Sequence, residues 1–291
     1  MTLQTRIEVA ISSSTKQEAQ ITNSESAYGG CINDSRIVSL KDGRQFFVKT
    51  HPQAQSTPGL FETEFEALQL LREPDAIHLP KPIVYGDDFI VLEVFKEGNP
   101  AKDWQEQMGR SLAQLHLATK NNKFGFSRDN YLGTTKQINN WCDDWLEFWR
   151  EQRLAYQLTL FSSKTDKDDP LLQAGERLIN KLDVLIGDIN EPAVLLHGDL
   201  WSGNAAANEQ GKPVIFDPAS YYGHREAEIG MMRMFGGFGT NCEAAYAEVW
   251  SLEDGAEQRI SLYRLYHELN HLNLFGQSYY QSCLSTINSL L

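Results

Sequence analysis

The chain has 291 residues, with 39 Asp or Glu against 26 Lys or Arg, which gives a formal net charge of −13. Because proteins that bind nucleic acids need basic surfaces to neutralise phosphates, this balance argues against a nucleic-acid partner. No apolar run approaches the roughly 18 residues of a membrane span, and residues 1–8 do not begin a signal peptide, so we expect no membrane insertion. The four cysteines lie far apart without a C-x-x-C pair, which favours the cytoplasm over a disulfide-rich secreted protein.

The first hundred residues are predicted to form strands and one helix. Residues 36–40 and 45–49 have the character of paired strands, and the Lys-Asp-Gly-Arg turn between them predicts a hairpin. Residues 62–72 are predicted to be helical because apolar side chains recur there at helical spacing. A further strand is predicted at residues 88–94, and the Lys-Glu-Gly-Asn-Pro run over 96–100 breaks both periodicities.

The rest of the chain is predicted to be mainly helical. Helices are expected over residues 101–119, 138–160, 171–186 and 243–291, with a short β-like section over 193–216. A β-rich part, a short hinge and a larger helical part in this order are typical of a protein-kinase-like fold. We therefore predict an α+β fold with two lobes, a small β-rich lobe over residues 1–95 and a larger, mainly helical lobe over residues 96–291.

The pattern with the most chemical information is His-Gly-Asp-Leu-Trp-Ser-Gly-Asn over residues 197–204, followed by Val-Ile-Phe-Asp over 214–217. Asp199 and Asn204 stand five residues apart, and Asp217 ends an apolar strand 13 residues later. This order fits phosphoryl transfer, in which one Asp orients and deprotonates the attacking hydroxyl while an Asn and a second Asp hold Mg²⁺ on the phosphates. An incidental acidic loop is the alternative, and four polar groups in this order disfavour it.

A site of this kind also needs a lysine on a strand and a carboxylate on the following helix. Lys49 ends the predicted strand Gln-Phe-Phe-Val-Lys, and Glu64 lies on the apolar face of the predicted helix. A carboxylate on such a face would be costly to bury without a partner. We therefore predict a Lys49–Glu64 ion pair that places Lys49 on the nucleotide phosphates. The alternative is a solvated carboxylate, since other glutamates flank it.

Upstream, Tyr-Gly-Gly-Cys-Ile-Asn over residues 28–33 precedes the predicted hairpin. Two glycines would fit any turn, but their position one hairpin before Lys49 predicts that Gly29 and Gly30 form the loop that covers the phosphates. Such a loop would place Cys31 near solvent among backbone amides, where a thiol can have a lowered pKa and oxidise readily. We hypothesise that oxidation of Cys31 lowers activity reversibly through a disulfide between two chains, so that the protein is a monomer or a redox-linked dimer. The alternative is a small apolar loop residue.

The sequence resembles the fructosamine kinase (ketosamine 3-kinase) family of the aminoglycoside phosphotransferase-like branch of the kinase fold. The resemblance covers nearly the whole chain. Besides the 197–204 motif it rests on Phe-Asp-Pro-Ala-Ser-Tyr-Tyr-Gly-His-Arg-Glu over 216–226 and Met-Met-Arg-Met-Phe-Gly-Gly-Phe over 231–238. Asp199, Asn204 and Asp217 are shared across the wider fold, whereas Trp201 and the Tyr-Tyr-Gly-His-Arg-Glu run are specific to the family.

The resemblance implies an ATP-dependent kinase that uses Mg²⁺ and phosphorylates the 3-hydroxyl of ketosamines, either small fructosyl-, ribulosyl- or erythrulosylamines or glycated protein lysines. A 3-phosphate makes the sugar prone to eliminate and free the amine, so the implied process is deglycation, a form of protein repair. The resemblance makes Asp199 the proton acceptor, Asn204 and Asp217 the magnesium ligands, and Lys49 with Glu64 the phosphate-binding pair.

The resemblance further makes Leu92, Glu93 and Val94 the hinge whose backbone meets adenine, and Trp201 a wall of the acceptor pocket. The sequence departs from eukaryotic protein kinases at Gly198, where they have arginine, and in lacking Ala-Pro-Glu downstream. These departures disfavour a protein-hydroxyl kinase that is switched by phosphorylation of a loop.

Three other functions remain as alternatives. A kinase of aminoglycosides, choline or a similar amino alcohol would share the fold, and a pseudokinase would bind nucleotide without catalysis. The presence of the whole set of predicted catalytic residues disfavours the pseudokinase. The third alternative is a zinc peptidase, because residues 267–271 spell His-Glu-Leu-Asn-His. Residues 272–291 contain no His, Asp or Glu that could supply the third ligand of such a site, which disfavours it.

Overall fold

The structure is a computed structural model that describes residues 1–27, 34–51, 54–187 and 191–291. The predicted α+β class is confirmed, since the N-terminal part is built on a β-sheet and the C-terminal part is mainly helical. The strands are β1 (Ile21–Ser26), β2 (Asp34–Leu40), β3 (Gln45–Thr50), β4 (Pro82–Gly86), β5 (Phe89–Glu93), β6 (Lys120–Asn121), β7 (Asn130–Leu132), β8 (Thr135–Gln137), β9 (Ala193–Leu196), β10 (Ala205–Ala207), β11 (Pro213–Ile215) and β12 (Tyr221–Gly223). The helices are α1 (Leu3–Thr15), α2 (Leu60–Arg72), α3 (Trp104–Ala118), α4 (Trp145–Trp149), α5 (Tyr156–Ser162), α6 (Pro170–Ile179), α7 (Leu182–Ile186), α8 (Glu226–Met234), α9 (Thr240–Val249), α10 (Ala256–Phe275) and α11 (Tyr280–Leu290).

The chain divides into two compact units. The first comprises Met1–Trp104 and Gly203–Pro218, and the second comprises Gln105–Ser202 and Ala219–Leu291. This division differs from the predicted boundary between residues 95 and 96 in two ways. The first unit runs on to Trp104, and it also takes in a segment from the middle of the predicted helical lobe.

Backbone hydrogen bonds within the first unit explain both differences. The amide of Gly98 donates to the carbonyl oxygen of Ala207 at 2.9 Å, which joins the residues after β5 to the β10–β11 hairpin. His78 forms an isolated bridge with β11. Asn204 and Asp217, which the sequence placed in the larger lobe, therefore belong to the first unit.

The first unit contains a five-stranded antiparallel sheet in the order β1-β2-β3-β5-β4. The predicted hairpin is confirmed as β2–β3, in which Asp34 lies opposite Thr50 and Ser39 opposite Gln45. The predicted strand at 88–94 is β5, and the predicted helix at 62–72 is α2. The sheet thus brings the end of β3 beside β5.

The prediction of a single helix in the first hundred residues is wrong, because α1 forms a second one. Its N-cap is Thr2, whose hydroxyl accepts a hydrogen bond from the Thr5 amide at 3.2 Å. Its buried residues are Ile7 and Ile11, which join a core cluster of sheet residues that includes Val91. Leu3, Ile7 and Ile11 do recur at helical spacing, but the segment ends in Ser-Ser-Ser-Thr, residues of low helix propensity that obscure the pattern.

The second unit combines helices with a three-stranded sheet in the order β12-β9-β6.

The helix predicted over 138–160 consists of three pieces, namely α4, a π-helical segment at Arg150–Ala155, and α5. It begins at Trp145 because the Asp144 side chain accepts the Glu147 amide at 2.7 Å as an N-cap. Trp145 and Tyr263 are buried together, with ring centroids 5.7 Å apart. None of the helices in the described ranges is long and apolar enough to cross a membrane.

Candidate active site

Lys49 and Glu64 form a buried ion pair in the first unit. Lys49 lies on β3 opposite Ser35 of β2 and Ile90 of β5, and Glu64 lies on the buried face of α2. The Nζ of Lys49 is 2.7 Å from Oε1 of Glu64, and the two side chains are 3% and 8% exposed. The ion pair predicted from the sequence is therefore present.

Asp217 is a second carboxylate on the same ammonium group. Its Oδ1 lies 2.6 Å from Nζ of Lys49, and its side chain is 26% exposed. Burial opposes the charged form of Lys49, but the attraction of Asp217 and Glu64 outweighs that effect, so the pKa of Lys49 is raised. The backbone φ of Asp217 is 61°, in the left-handed region. Such a conformation is costly for a residue other than glycine and is found preferentially at functional sites.

Asn204 and Asp217 supply oxygen atoms of the kind that Mg²⁺ prefers. Asn204 is buried, and its carbonyl oxygen accepts the Phe216 amide at 3.0 Å, which ties it to the residue before Asp217. Mg²⁺ takes one or two carboxylates from a protein and completes its shell with water and phosphate oxygens. One amide and one carboxylate therefore fit a magnesium ion that is held jointly with a nucleotide.

Asp199 lies in the second unit, in the loop that follows β9. The amide of Ala219 donates to the carbonyl oxygen of His197 at 2.9 Å. The amide of Trp201 donates to the carbonyl oxygen of Asp199 at 3.1 Å. Gly198 has a φ of 82°, and a Cβ at this position would lie 2.2 Å from the Ala219 carbonyl oxygen. The loop therefore excludes any side chain at 198, which explains why arginine does not stand there.

The Glu228 carboxylate, on α8, fixes the same loop. It is buried and accepts hydrogen bonds from the amides of His197 at 2.5 Å and Gly198 at 3.0 Å. The Nε2 of His116 lies 3.8 Å from it, and burial lowers the pKa of His116, so that this imidazole is neutral at pH 7. We did not predict a role for Glu228 from the sequence. The argument made for Glu64, that a carboxylate within an apolar helix is costly to bury without a partner, also applies to Glu228.

The remaining predicted site residues are distributed over both units. Trp201 packs edge-on against Phe235 in the second unit, with ring centroids 5.5 Å apart. Leu92 and Glu93 end β5 in the first unit, and the Glu93 amide donates to the carbonyl oxygen of Lys81 at 2.9 Å. Val94 follows directly. The hinge and acceptor roles of these residues stay predictions.

The predicted phosphate-covering loop, with Gly29, Gly30 and the redox candidate Cys31, lies outside the described residues. Its role and the redox-linked dimer therefore stay predictions. The other three cysteines are Cys142, Cys242 and Cys283, each as a free thiol. Burial raises the pKa of both Cys242 and Cys283 to about 12, so these thiols are poor nucleophiles.

The His-Glu-Leu-Asn-His motif lies on α10. Glu268 forms an ion pair with Arg264 at 3.0 Å, and Nδ1 of His271 lies 2.8 Å from the His267 carbonyl oxygen. Burial lowers the pKa of His267 to about 3. Across the described parts of the chain, no group of three or more His, Cys, Asp or Glu side chains is arranged to hold a metal ion. The motif is thus engaged in the packing of its own helix.

Comparison with known proteins gives a consistent result. Residues 3–291 match the sequence profile of the fructosamine kinase family. The chain is 42% identical over 279 residues to the chloroplastic protein-ribulosamine 3-kinase of Oryza sativa subsp. japonica, covering 94% of this chain and 80% of that protein. It is 39% identical over 287 residues to a probable ketoamine kinase of Synechocystis sp., covering 97% and 94%. A crystal structure titled "putative fructosamine-3-kinase" from Thermobifida fusca matches with a TM-score of 0.87 at 30% identity, covering 99% and 98% of the two chains.

Proposed function

Because the chain belongs to the fructosamine kinase family, we propose that it is an ATP-dependent kinase that phosphorylates the 3-hydroxyl of ketosamines. The observation that carries the phosphoryl-transfer chemistry is the buried ammonium of Lys49, which is held by Glu64 and Asp217. A lysine fixed in this way binds nucleotide phosphates in kinases. The relatives named for ribulosamine and ketoamine support a ketosamine as the acceptor.

Each of the site residues has a distinct task in this reaction. Asp199 accepts the proton of the 3-hydroxyl while the hydroxyl oxygen bonds to the γ-phosphorus, and the bond from that phosphorus to the bridging oxygen of ADP breaks. Lys49 binds phosphate oxygens, and Glu64 keeps it in place. Asn204 and Asp217 would hold Mg²⁺, which supplies positive charge that neutralises the phosphates when it is bound.

Trp201 supports the choice of a sugar-derived amine as acceptor. It lies two residues after Asp199, so its indole ring is expected beside the reacting hydroxyl. An indole face suits the apolar side of a sugar chain and the cation of a protonated secondary amine, a contact worth about 0.5–2 kcal/mol. The product carries a 3-phosphate next to the C2 carbonyl, which favours elimination of phosphate and release of the amine. The expected outcome is deglycation in the cytoplasm.

The alternatives differ from this proposal in their acceptor or in their lack of turnover. A kinase of aminoglycosides or choline would use the same residues on the nucleotide, but membership of the fructosamine kinase family disfavours it. A pseudokinase is disfavoured because Lys49, Glu64, Asp199, Asn204 and Asp217 are all present.

A phosphorylation screen tests the proposal directly. The purified protein is incubated with Mg-ATP and ribulosyl-, erythrulosyl- or fructosylamines, with kanamycin and choline as rival acceptors, and the phosphate position is assigned by NMR. We expect 3-phosphates of ketosamines alone. The Trp201→Ala variant should raise KM for the ketosamine far more than KM for ATP. Equal changes in both constants, or phosphorylation of kanamycin or choline but of no ketosamine, would contradict the proposal.

A further inference from the structure

Five rings in the second unit form a continuous row, which we call the aromatic row: Trp201, Phe235, His271, Phe275 and Tyr279. Ring centroids are 5.5 Å apart between Trp201 and Phe235 and 5.1 Å apart between Phe235 and His271. His271 lies 5.4 Å from Phe275 and 5.1 Å from Tyr279. The row therefore leads from the loop that carries Asp199 to the C-terminal end of α10 and the turn after it.

Two of the five rings of the aromatic row are exposed, and the other three, Trp201, His271 and Tyr279, are half-buried. Phe235 is 43% exposed and Phe275 is 52% exposed, and among the residues described they are two of the four large aromatic side chains with such exposure. Burial lowers the pKa of His271, so the row is uncharged at neutral pH. A contiguous apolar row next to a site, with none of its rings in the core and two of them exposed, has the character of a binding surface.

The loop that carries Phe235 is fixed rather than loose. The side chain of Gln105 donates to the carbonyl oxygen of Gly237 and accepts the amide of Gly239, both at 3.0 Å. Gly237 has a φ of 95°, and a Cβ there would lie 2.3 Å from Cβ of Ser202, the residue after Trp201. The first two rings of the row are thus positioned before any ligand binds, which lowers the entropic cost of recognition.

We propose that the aromatic row binds the amine-bearing part of a ketosamine carried on a peptide, namely the alkyl chain of the glycated lysine and the peptide residues beside it. This inference rests on the proposed function and assigns a surface to the protein-bound class of acceptor. In a ketosamine the amine is only a few bonds from the reacting hydroxyl, so whatever the amine carries leaves the site close to Trp201. Aromatic faces stack on alkyl chains and on cations whatever the surrounding peptide sequence is. A surface that accepts glycated lysines from many different peptides requires contacts of this kind.

The test compares a small acceptor with a peptide acceptor. The small acceptor is ribulosyl-methylamine, which carries only a methyl group on its amine, and the large one is a short peptide with one ribulosylated lysine. For Phe275→Ala we expect kcat/KM on the peptide to fall about tenfold through KM, equivalent to about 1.4 kcal/mol. The value for ribulosyl-methylamine should stay within about twofold. Phe235→Ala should act in the same direction.

The control variant is Val184→Ala on α7, which removes another exposed apolar side chain, 72% exposed, and should change neither value. Equal losses on both acceptors, or no loss on the peptide, would overturn the inference. So would a change in sedimentation from dimer to monomer with an unchanged KM for the peptide, since the row would then join two copies of the chain. If the wild type phosphorylates neither acceptor, the proposed function fails instead, and calorimetric titration of the same peptide into wild type and Phe275→Ala still decides whether the row binds it.

Discussion

The hydrogen bonds of Glu228 predict the behaviour of a Glu228→Gln variant. Glutamine keeps one carbonyl oxygen but replaces the other acceptor with an NH₂ group, so either the His197 or the Gly198 amide loses its partner. A buried donor without an acceptor costs about 1–3 kcal/mol, and the remaining bond loses its charge assistance. We expect the free energy of unfolding, measured in urea, to fall by about 2 kcal/mol.

The same change should lower kcat much more than it changes KM for ATP. The amides of His197 and Gly198 directly precede Asp199, and a misplacement of about 1 Å at a reacting group can cost about 100-fold in rate. We therefore expect kcat, measured by a coupled assay of ADP release, to fall about 10- to 100-fold. The KM for ATP should change less than about threefold, because Lys49 and Asp217 keep their contacts in the other compact unit.

A matched variant separates positioning from general destabilisation. Glu226 is two residues away on α8 and equally buried, but its carboxylate binds the Arg259 guanidinium through two hydrogen bonds of 2.7 Å. Glu226→Gln should lose comparable stability while the folded protein keeps kcat within about twofold. If Glu228→Gln keeps a normal kcat, or if Glu226→Gln loses as much, the position of Asp199 does not depend on Glu228.

Three further predictions concern proton transfer, phosphate binding and stability. Asp199→Asn should bind nucleotide normally by calorimetry yet lose turnover, because an amide cannot accept the hydroxyl proton; turnover within about tenfold of wild type would refute the assignment. Lys49→Met should lower kcat and raise KM for ATP, and unchanged constants would count against a phosphate-binding role. For Glu191, burial raises the pKa but hydrogen bonds from His224 and Arg225 outweigh it and lower the pKa to about 2. Its contribution, up to about 3 kcal/mol, is present above the unfolded value near 4.5 and is lost as the pH falls towards 2. The difference in unfolding free energy between wild type and Glu191→Gln should therefore shrink to roughly half between pH 7 and pH 3, and a pH-independent difference would show that this carboxylate is not the cause.

A structural feature could be predicted from the sequence where the residues that produce it are close together in the chain. The Lys49–Glu64 pair was predictable, because the apolar face of α2 is visible in the sequence and a buried carboxylate requires a cation. The contact of Lys49 with its second partner, Asp217, was not predictable. It depends on the left-handed backbone of Asp217 and on a segment distant in sequence. The composition of the first compact unit was not predictable for the same reason, because the β10–β11 hairpin joins this unit through tertiary hydrogen bonds that leave no local pattern.

The charges around Lys49 give a physical reason why the proposed reaction would use a divalent cation. One ammonium faces two carboxylates, so this cluster carries a net negative charge that would repel the phosphates of ATP. The two carboxylates differ in access, since the Glu64 side chain is 8% exposed whereas that of Asp217 is 26% exposed. Asp217 is therefore the one that can turn to a metal ion, while Glu64 keeps the lysine in place. If Asp217 turned from Lys49 to a metal ion, one of the three donors of the ammonium would become free for a phosphate oxygen. Metal binding and phosphate binding by Lys49 would then favour one another.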